Sequence, residues 1–371
     1  MSTIGQDRLV RKEVALGLIR EMPKPTNHVG LEIAPFLAVQ SDDVIFEYVQ
    51  PQAEGLAPAR AEDAESELAR KDTSMGSGRA SLIDWAIKDH YSASDVTRYR
   101  EAMYVQGSIG QNLPLTITSM TEDWQNKVAR DTALRRRKLD NRIESLIWDA
   151  LVAGSITYDD GKIKFSVDYS RPALQSSGNL PTNTAATAWS ASGADPIDNV
   201  LDIDTYMYDT YGVHIAEAWC SSKVLRNVLN SDKFAARTGI STGVDPRYVI
   251  DGWGVDAAVA VLERATGVRF RVHDAIYRTK PFGSNTITNN RFLPEDKIVF
   301  MPAAQDLAEI ATSEIGFGKV LTSPHPEGNF QPGYYEWERE TVDPWGYDIG
   351  TGIKAFPVFP HLDLTYVLDV L

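Results

Sequence analysis

A long helical pattern constrains this chain more than any other feature of its sequence. Apolar residues recur at three- and four-residue steps over 119–153, and Gly154 follows as a terminator. Ser119 or Thr121 is suited to cap the start. The pattern predicts a helix of about 30 residues, roughly 45 Å long at 1.5 Å per residue, which exceeds the usual globular helix. The recurring apolar residues are Trp124, Val128, Leu139, Ile143, Leu146, Ile147, Ala150 and Leu151.

A basic cluster interrupts the apolar stripe of this helix. Six basic and two acidic residues lie between Arg130 and Arg142, a local charge of +4. Such a cluster is suited either to phosphate groups or to a solvated or intersubunit helix face, and we favour the second interpretation. The whole chain has 37 basic and 51 acidic residues, a net charge of −14, which argues against a protein whose main surface grips nucleic-acid phosphates. The cluster consists of Arg135, Arg136, Arg137 and Lys138.

The segments before the helix are irregular. Residues 1–40 hold three prolines that favour extended chain, and Val44–Gln50 is predicted as a strand from its β-branched and aromatic content. The acidic stretch from Pro51 to Arg79 is far longer than an ordinary connection, and loops of that length are usually either functional or disordered. Residues 81–105 have a mixed pattern that predicts some helix.

The segments after the helix predict a mixed α/β lobe. Tyr158–Gly161 is a hairpin turn followed by a second strand over 162–169. From Ile197 to about Ile310, helical and strand patterns alternate, and the chain closes on an apolar strand over 362–371. The fold class is therefore α+β, and 371 residues suffice for two or three packed lobes. The helical patterns are 197–212, 221–229 and 253–266, and the strand patterns are 213–220, 268–275 and 297–301.

Motifs for catalysis or cofactor binding do not emerge. Cys220 follows an apolar run, and as the single cysteine it predicts a buried small side chain rather than a nucleophile or a thiolate metal cage. Gly76–Gly78 lacks the preceding apolar strand of a nucleotide-binding loop. The six histidines are too far apart in sequence for a two-histidine metal motif on one element. We therefore predict no catalytic residue, no cofactor and no metal, and we expect a protein that is not an enzyme.

Membrane and targeting signals are also missing from the sequence. The apolar stretch Val14–Ile19 is shorter than a secretory core and ends at once on Arg20 and Glu21. No run approaches the roughly 18 apolar residues of a membrane span. We expect a soluble protein made inside the cell.

Several short motifs occur in a fixed order along the chain, and together they resemble a known family. Within the tailed-bacteriophage major capsid proteins, the order resembles the lambda-like family, or phage E-type coat family. No single motif is diagnostic, but the ordered set covers most of the chain. The motifs are Gly55-Leu56-Ala57-Pro58, Asn141-Arg142-Ile143-Glu144, Ala150–Gly154, Ile156, Val167-Asp168-Tyr169, Gly333-Tyr334-Tyr335, Asp343-Pro344 and Phe356-Pro357-Val358.

The resemblance implies the coat fold that many tailed phages share. In that fold an N-terminal arm and an extended β-hairpin loop lead to a peripheral domain with a long spine helix and to an axial α/β domain. The last strands then return to the peripheral domain. The implied regions of this chain are the arm (1–40), the loop (41–110), the peripheral domain (111–196) with its helix (119–153), the axial domain (197–315) and the return strands (316–371).

The resemblance also implies a function. Family members self-assemble into hexamers and pentamers of an icosahedral shell that encloses double-stranded DNA, working with a scaffold, a portal and often a decoration protein. It places the protein in the virion, after assembly in the bacterial cytoplasm. Residues 59–63 are more acidic than the resemblance leads us to expect, which leaves the partner surface of the loop open. The candidate intersubunit contacts are Gly55, Leu56, Ala57 and Pro58 in the loop and Arg135, Arg136, Arg137 and Lys138 on the helix.

Two other interpretations stay open at this point. One is a compartment of the same fold that encloses cargo protein without a genome. The other is a two-domain carbohydrate-active enzyme, because the sequence alone cannot pair any of its 51 acidic residues as facing carboxylates.

Overall fold

The computed structural model describes residues 12–49, 75–97, 115–159, 163–169, 184–237, 255–279, 286–303, 306 and 315–370. The helices within these ranges are α1 (Lys12–Glu21), α2 (Gly30–Ile33), α3 (Leu115–Ala153), α4 (Pro196–Tyr211), α5 (Ser222–Leu229), α6 (Asp232–Arg237) and α7 (Val255–Thr266). Short 3-10 turns cover Pro326–Gly328 and Leu362–Leu364. The strands are β1 (Phe36–Ala38), β2 (Asp43–Val49), β3 (Met75–Ser81), β4 (Ile83–Ser92), β5 (Ser155–Asp159), β6 (Lys164–Asp168), β7 (Ile215–Cys220), β8 (Arg269–Val272), β9 (Ile276–Thr279), β10 (Thr288–Arg291), β11 (Lys297–Pro302), β12 (Lys319–Thr322), β13 (Pro324–His325), β14 (Gln331–Pro332), β15 (Tyr334–Val342), β16 (Trp345–Val358) and β17 (Tyr366–Asp369).

The chain divides into two compact units, each built from several chain segments. The described residues of the first, which we call the long-helix unit, fall within Met1–Val44, Arg79–Glu144 and Val320–Val358. Those of the second, the α/β unit, fall within Ile45–Gly78, Ser145–Lys319 and Phe359–Leu371. Helix α3 begins in the first unit and ends in the second.

The long-helix unit contains a sheet of order β1-β12-β16-β15, in which β4 also pairs with β16. The antiparallel partners of β16 are β15 and β4. Tyr347 and Ile349 of β16 join Tyr91 of β4 and Val128 of α3 in a buried apolar cluster. The described residues of the apolar stripe of α3 are buried, so the prediction that this side of the helix packs in the core is confirmed.

Two glycines of β16 make room for aromatic rings of β15. Gly350 lies opposite Trp337, and Gly352 lies opposite Tyr335. A Cβ atom at Gly350 would stand 2.3 Å from the Trp337 ring, and one at Gly352 would stand 2.4 Å from the Tyr335 ring. Glycine is thus required at both positions because each ring occupies the space of the missing side chain.

The α/β unit is built on a sheet of order β17-β11-β7-β8. Strands β7 and β8 are parallel, whereas β11 is antiparallel to both β7 and β17. One large cluster of buried residues covers it, to which α4 contributes Ile197, Val200, Ile203 and Met207. Burying such side chains contributes about 1.5–3 kcal/mol each, which makes this cluster a main source of the stability of the unit.

Most predicted elements are confirmed, with a few corrections. Helix α3 begins at Leu115, so Ser119 and Thr121 lie inside it and do not cap it. The region 81–105, for which some helix was predicted, contains β4 and then helical residues over 93–97, and the strand is the part that the prediction did not include. Strand β17 pairs with β11 in the α/β unit, whereas β15 and β16 lie in the sheet of the long-helix unit; the predicted domain boundaries stay a prediction.

Candidate functional site

The basic cluster of α3 is the part of the predicted site that lies within the described residues. Arg135 is buried, with 1% of its surface exposed. Its Nη1 donates to Asp89 Oδ2 at 2.8 Å, and its Nη2 donates to Glu336 Oε1 at 3.1 Å. Nε donates to Thr351 Oγ1 at 3.0 Å, and Nη2 also donates to Thr132. Arg135 therefore cross-links the helix to β4, β15 and β16 within one unit.

Burial shapes the charge of this network in opposite directions. Burial alone would lower the pKa of Arg135, but hydrogen bonds to Asp89 and Tyr91 and the charge of Glu336 raise it above its ordinary value. Burial raises the pKa of Glu336, although Arg135 opposes that shift. Glu336 Oε2 is buried and has no hydrogen-bond partner in the described part of the chain. Glu336 thus depends on Arg135 for most of its compensation.

Arg136 is also buried, but it faces the N-terminal segment, by which we mean residues 12–33 with helices α1 and α2. Its Nε donates to Asp140 Oδ1 at 2.9 Å, and its Nη1 donates to the carbonyl of Ile19 at 3.0 Å. The guanidinium lies over the ring of Tyr334, whose hydroxyl donates to Asp140 Oδ1 at 2.6 Å. Ile19 lies in the last turn of α1, where a cation is favoured by the unpaired helix carbonyls.

These contacts correct the prediction of one solvated face for the whole cluster. Arg135 and Arg136 are bound by groups of their own chain, whereas Arg137 and Lys138 are exposed. Consecutive residues on a helix are rotated by about 100°, so four in a row cannot share one face. A contact with a neighbouring subunit stays a prediction, and on this helix it now falls on Arg137 and Lys138.

Glu144 lies two turns after Arg136 on α3. Its carboxylate binds the first residues of α2 in the N-terminal segment. Its Oε1 accepts from the backbone N–H of Val29 at 3.1 Å and of Gly30 at 2.9 Å, and its Oε2 accepts from Gly30 at 3.0 Å. Gly30 begins α2, where unpaired N–H groups favour a carboxylate. Glu144 is part of the motif that resembles the capsid family, but the motif does not predict its hydrogen bonds to the start of α2. The signal that points to it is the polar series Arg136, Asp140 and Glu144 at four-residue steps.

Arg20 fixes the other side of α1, a role that no pattern in the sequence indicates. Its Nε donates to the carbonyl of Tyr334 at 3.3 Å and its Nη2 to the carbonyl of Gly328 at 3.2 Å. Nη1 also binds the side chain of Gln331. The N-terminal segment is therefore bound within the long-helix unit by charged groups at three points, through Arg20, Arg136 and Glu144.

Replacing Glu144 with Ala is expected to destabilise the long-helix unit by about 2 kcal/mol, because the N–H groups of Val29 and Gly30 lose their acceptor in a buried place. Hydrogen exchange at these two amides should accelerate. Glu144→Gln, which keeps one acceptor oxygen, serves as the control and should show a smaller change. Unchanged exchange in Glu144→Ala would contradict the role assigned to this carboxylate.

The other predicted contacts, Gly55, Leu56, Ala57 and Pro58, lie outside the described residues. Residues 41–80 contain nine acidic and four basic residues, a local charge of −5. A complementary contact between this stretch of one subunit and the basic helix of a neighbouring subunit stays a prediction, and the internal pairing of Arg135 and Arg136 leaves Arg137 and Lys138 as its exposed basic side.

The described residues were expected to include no thiol nucleophile and no metal site, and they contain the single cysteine and side chains of the metal-binding types. Cys220 is buried, and burial raises the pKa of its thiol to about 12, so the thiolate is scarce at neutral pH. Within the described ranges, no group of three or more His, Cys, Asp or Glu side chains is placed to hold a metal ion. Gly76–Gly78 lies in strand β3. Of the described helices, none has both the length and the apolar character that crossing a membrane requires.

Comparison with solved structures identifies the fold. The chain is 12% identical to a protein of an Escherichia coli CFT073 prophage assigned as a capsid protein, with a TM-score of 0.56 and 97% of each chain covered. A phage-related protein of Bordetella bronchiseptica RB50 is 13% identical, with a TM-score of 0.49 and 96% of each chain covered. The predicted fold, α+β with the coat architecture of tailed-phage capsid proteins, is confirmed at this level.

Comparison with sequence families supplies the assignment. No curated protein sequence matches the chain. The family described as phage major capsid protein E matches residues 38–369, which is most of the chain and covers most of each unit. On this match, the chain belongs to the phage major capsid protein E family.

Proposed function

We propose that this protein is the structural subunit of a phage head, which self-assembles into hexamers and pentamers of an icosahedral shell around double-stranded DNA. The family match over residues 38–369 carries the proposal. The role is structural rather than enzymatic, and its place is the virion, after assembly in the bacterial cytoplasm. Scaffold, portal and decoration proteins are the partners that such a shell would use.

The charge of the chain supports this role. A net charge of −14 does not suit a surface that holds DNA tightly, because phosphate binding requires a positive face. It suits a wall that surrounds DNA without trapping it during filling. The basic side chains of Arg135 and Arg136 do not change this, since both are neutralised inside the long-helix unit.

Assembly of the purified full chain tests the proposal directly. Sedimentation velocity and negative-stain electron microscopy should show closed particles of uniform diameter, and nuclease treatment should leave protected DNA in particles from an infected or complemented host. Monomers or dimers at every concentration and with every phage partner supplied would refute a shell function. Particles that enclose protein and no nucleic acid, in the presence of a portal and a scaffold, would instead support the cargo compartment.

The extended loop gives a second test of the same function. Replacing both Leu56 and Pro58 with Asp is expected to reduce particle yield by about tenfold or more while the subunit stays folded, because charges in an apolar contact oppose association. The matched control carries the same added charges in the same segment, as Ser66→Asp with Leu68→Asp. Normal particles from the Leu56→Asp, Pro58→Asp variant would show that residues 55–58 do not form the predicted intersubunit contact.

A further inference from the structure

The outer face of helix α4 in the α/β unit is both apolar and acidic. One side of the helix is buried in the core, and the opposite side is exposed at three- and four-residue steps. Leu201 is 36% exposed and Tyr208 is 51% exposed. We call this surface the α4 face; it consists of Asp198, Leu201, Asp202, Thr205, Tyr208 and Asp209.

The aromatic side chain of this face is held in place. The ring of Tyr208 stacks on that of His214, with centroids 4.4 Å apart and an angle of 18° between planes. His214 Nδ1 lies 3.1 Å from Asp204 Oδ2, so the histidine is fixed in turn. An exposed tyrosine that is already ordered loses little conformational entropy when it is covered, which is typical of residues that dominate protein contacts.

The acids of the α4 face repel one another. Burial, and then the charges of Asp198 and Asp195, raises the pKa of Asp202 above its ordinary value. A positive charge placed against Asp202 from another molecule would offset this repulsion. The face therefore has the chemistry to receive an apolar surface that carries a cation.

The hairpin of β9 and β10 presents such a surface in the same unit. Ile276 and Arg278 are two residues apart on β9, so they share a face, and they pair with Arg291 and Asn289 of β10. Ile276 is 49% exposed, and Ile287, two residues before Asn289, is 58% exposed. Arg278 and Asn289 are exposed as well. We call this the hairpin face, made of Ile276, Arg278, Ile287 and Asn289.

The two faces are different patches of the same unit, one on a helix and one on a two-stranded sheet. Helix α4 contacts the edge strand β17 through Tyr206 and Tyr366, whose ring centroids are 6.2 Å apart. The hairpin follows β8, the strand at the other edge. Two different, complementary patches on one subunit give a head-to-tail contact, which closes into a ring when the rotation allows it.

We propose that the α4 face of one subunit binds the hairpin face of the next copy of this chain, with Arg278 against Asp202 and the isoleucines against Leu201 and Tyr208. The inference rests on the proposed function, since a shell is built from copies that meet in rings. The second copy is the occupant because the two faces match each other in charge and in apolar character.

A charge swap on the full chain tests this pairing. Asp202→Arg and Arg278→Asp are each expected to lower particle yield by about tenfold or more, because each places like charges opposite each other. The variant with both substitutions is expected to regain most of the yield. Yields at the wild-type level in both single variants would overturn the pairing, as would loss in both without recovery in the combined variant.

Crosslinking gives a second measurement that does not depend on assembly yield. Thr205→Cys combined with Asn289→Cys places one thiol on each face, and the native Cys220 is buried and does not interfere. A bismaleimide should then produce a ladder of products beyond the dimer. Products that stop at the monomer or dimer would exclude a head-to-tail contact between these faces.

The two proposals fail in different ways. If the wild-type chain forms no particles under any condition, the shell function itself is refuted. If the wild-type chain forms particles while the charge variants assemble normally and no ladder appears, the shell stands and the pairing of the two faces is wrong.

Discussion

Replacing Ile143 with Asp is expected to prevent the subunit from folding. Ile143 lies on the packed side of α3 and is 1% exposed. The loss of its apolar contacts costs about 2–5 kcal/mol, and burial of an unpaired carboxylate adds several more. The sum rivals the whole stability of a typical domain, about 5–15 kcal/mol. The variant should therefore accumulate as insoluble protein, measured as the soluble fraction after expression.

The same substitution at Leu134 is the matched control. Leu134 belongs to the same helix and the same unit, but its side chain is 48% exposed. Leu134→Asp should remain soluble, and its free energy of unfolding should lie within about 0.5 kcal/mol of the wild-type value, as is usual for surface substitutions. Soluble, cooperatively unfolding Ile143→Asp protein would mean that this side of α3 is not part of the core.

Replacing Arg135 with Met is the second change with a large expected effect. It removes the guanidinium that pairs with Glu336 and leaves a buried carboxylate without a compensating positive charge, with one hydrogen bond from Thr132. Breaking a buried pair from one side costs about 3–5 kcal/mol. Chemical denaturation of the wild type and the variant at neutral pH should show this difference. Arg137 lies two residues further along the same helix and is exposed. Arg137→Met should therefore change the free energy of unfolding by less than about 0.5 kcal/mol.

A second substitution and a pH series identify the cause. Arg135→Met with Glu336→Gln removes the unpaired charge, so this double variant should be more stable than Arg135→Met alone. The pKa of Glu336 is raised by burial, and losing Arg135 removes a group that lowers it. A carboxyl group whose pKa is raised in the folded state stabilises the fold at pH values below its unfolded-state pKa. That stabilisation is lost as pH rises through the folded-state pKa. The deficit of Arg135→Met should hence shrink toward acid, and a deficit independent of pH and of Glu336 would contradict the account.

The long helix could be predicted from the sequence because its signal is local. Apolar residues at three- and four-residue steps mark the side of α3 that the core covers, and Gly154, with φ of 71°, ends it as expected. The start was missed by four residues. Ser119 and Thr121 are suitable caps by type, but the four residues from Leu115 to Thr118 are already helical.

The environment of the basic cluster could not be predicted because it depends on distant segments. Asp89 and Glu336 lie 46 and 201 positions from Arg135. Sequence alone shows four cations in a row, which is typical of a solvated surface, and only the fold brings carboxylates to two sides of the helix. The same reason applies to β4, which has a mixed sequence pattern and pairs with β16, more than two hundred residues later.

The hydrogen bond from Arg20 to Tyr334 has a consequence for synthesis of the protein. It joins residues 314 positions apart, and β1 pairs with β12 in the same unit. The α/β sheet likewise ends on β17 near the C-terminus. A nascent chain on the ribosome can form α3 before the later strands exist, but the first sheet is incomplete until β16 has been translated and the second until β17 has been translated. A chain that stops before these strands lacks finished sheets, so their translation sets the earliest moment at which a subunit can join others.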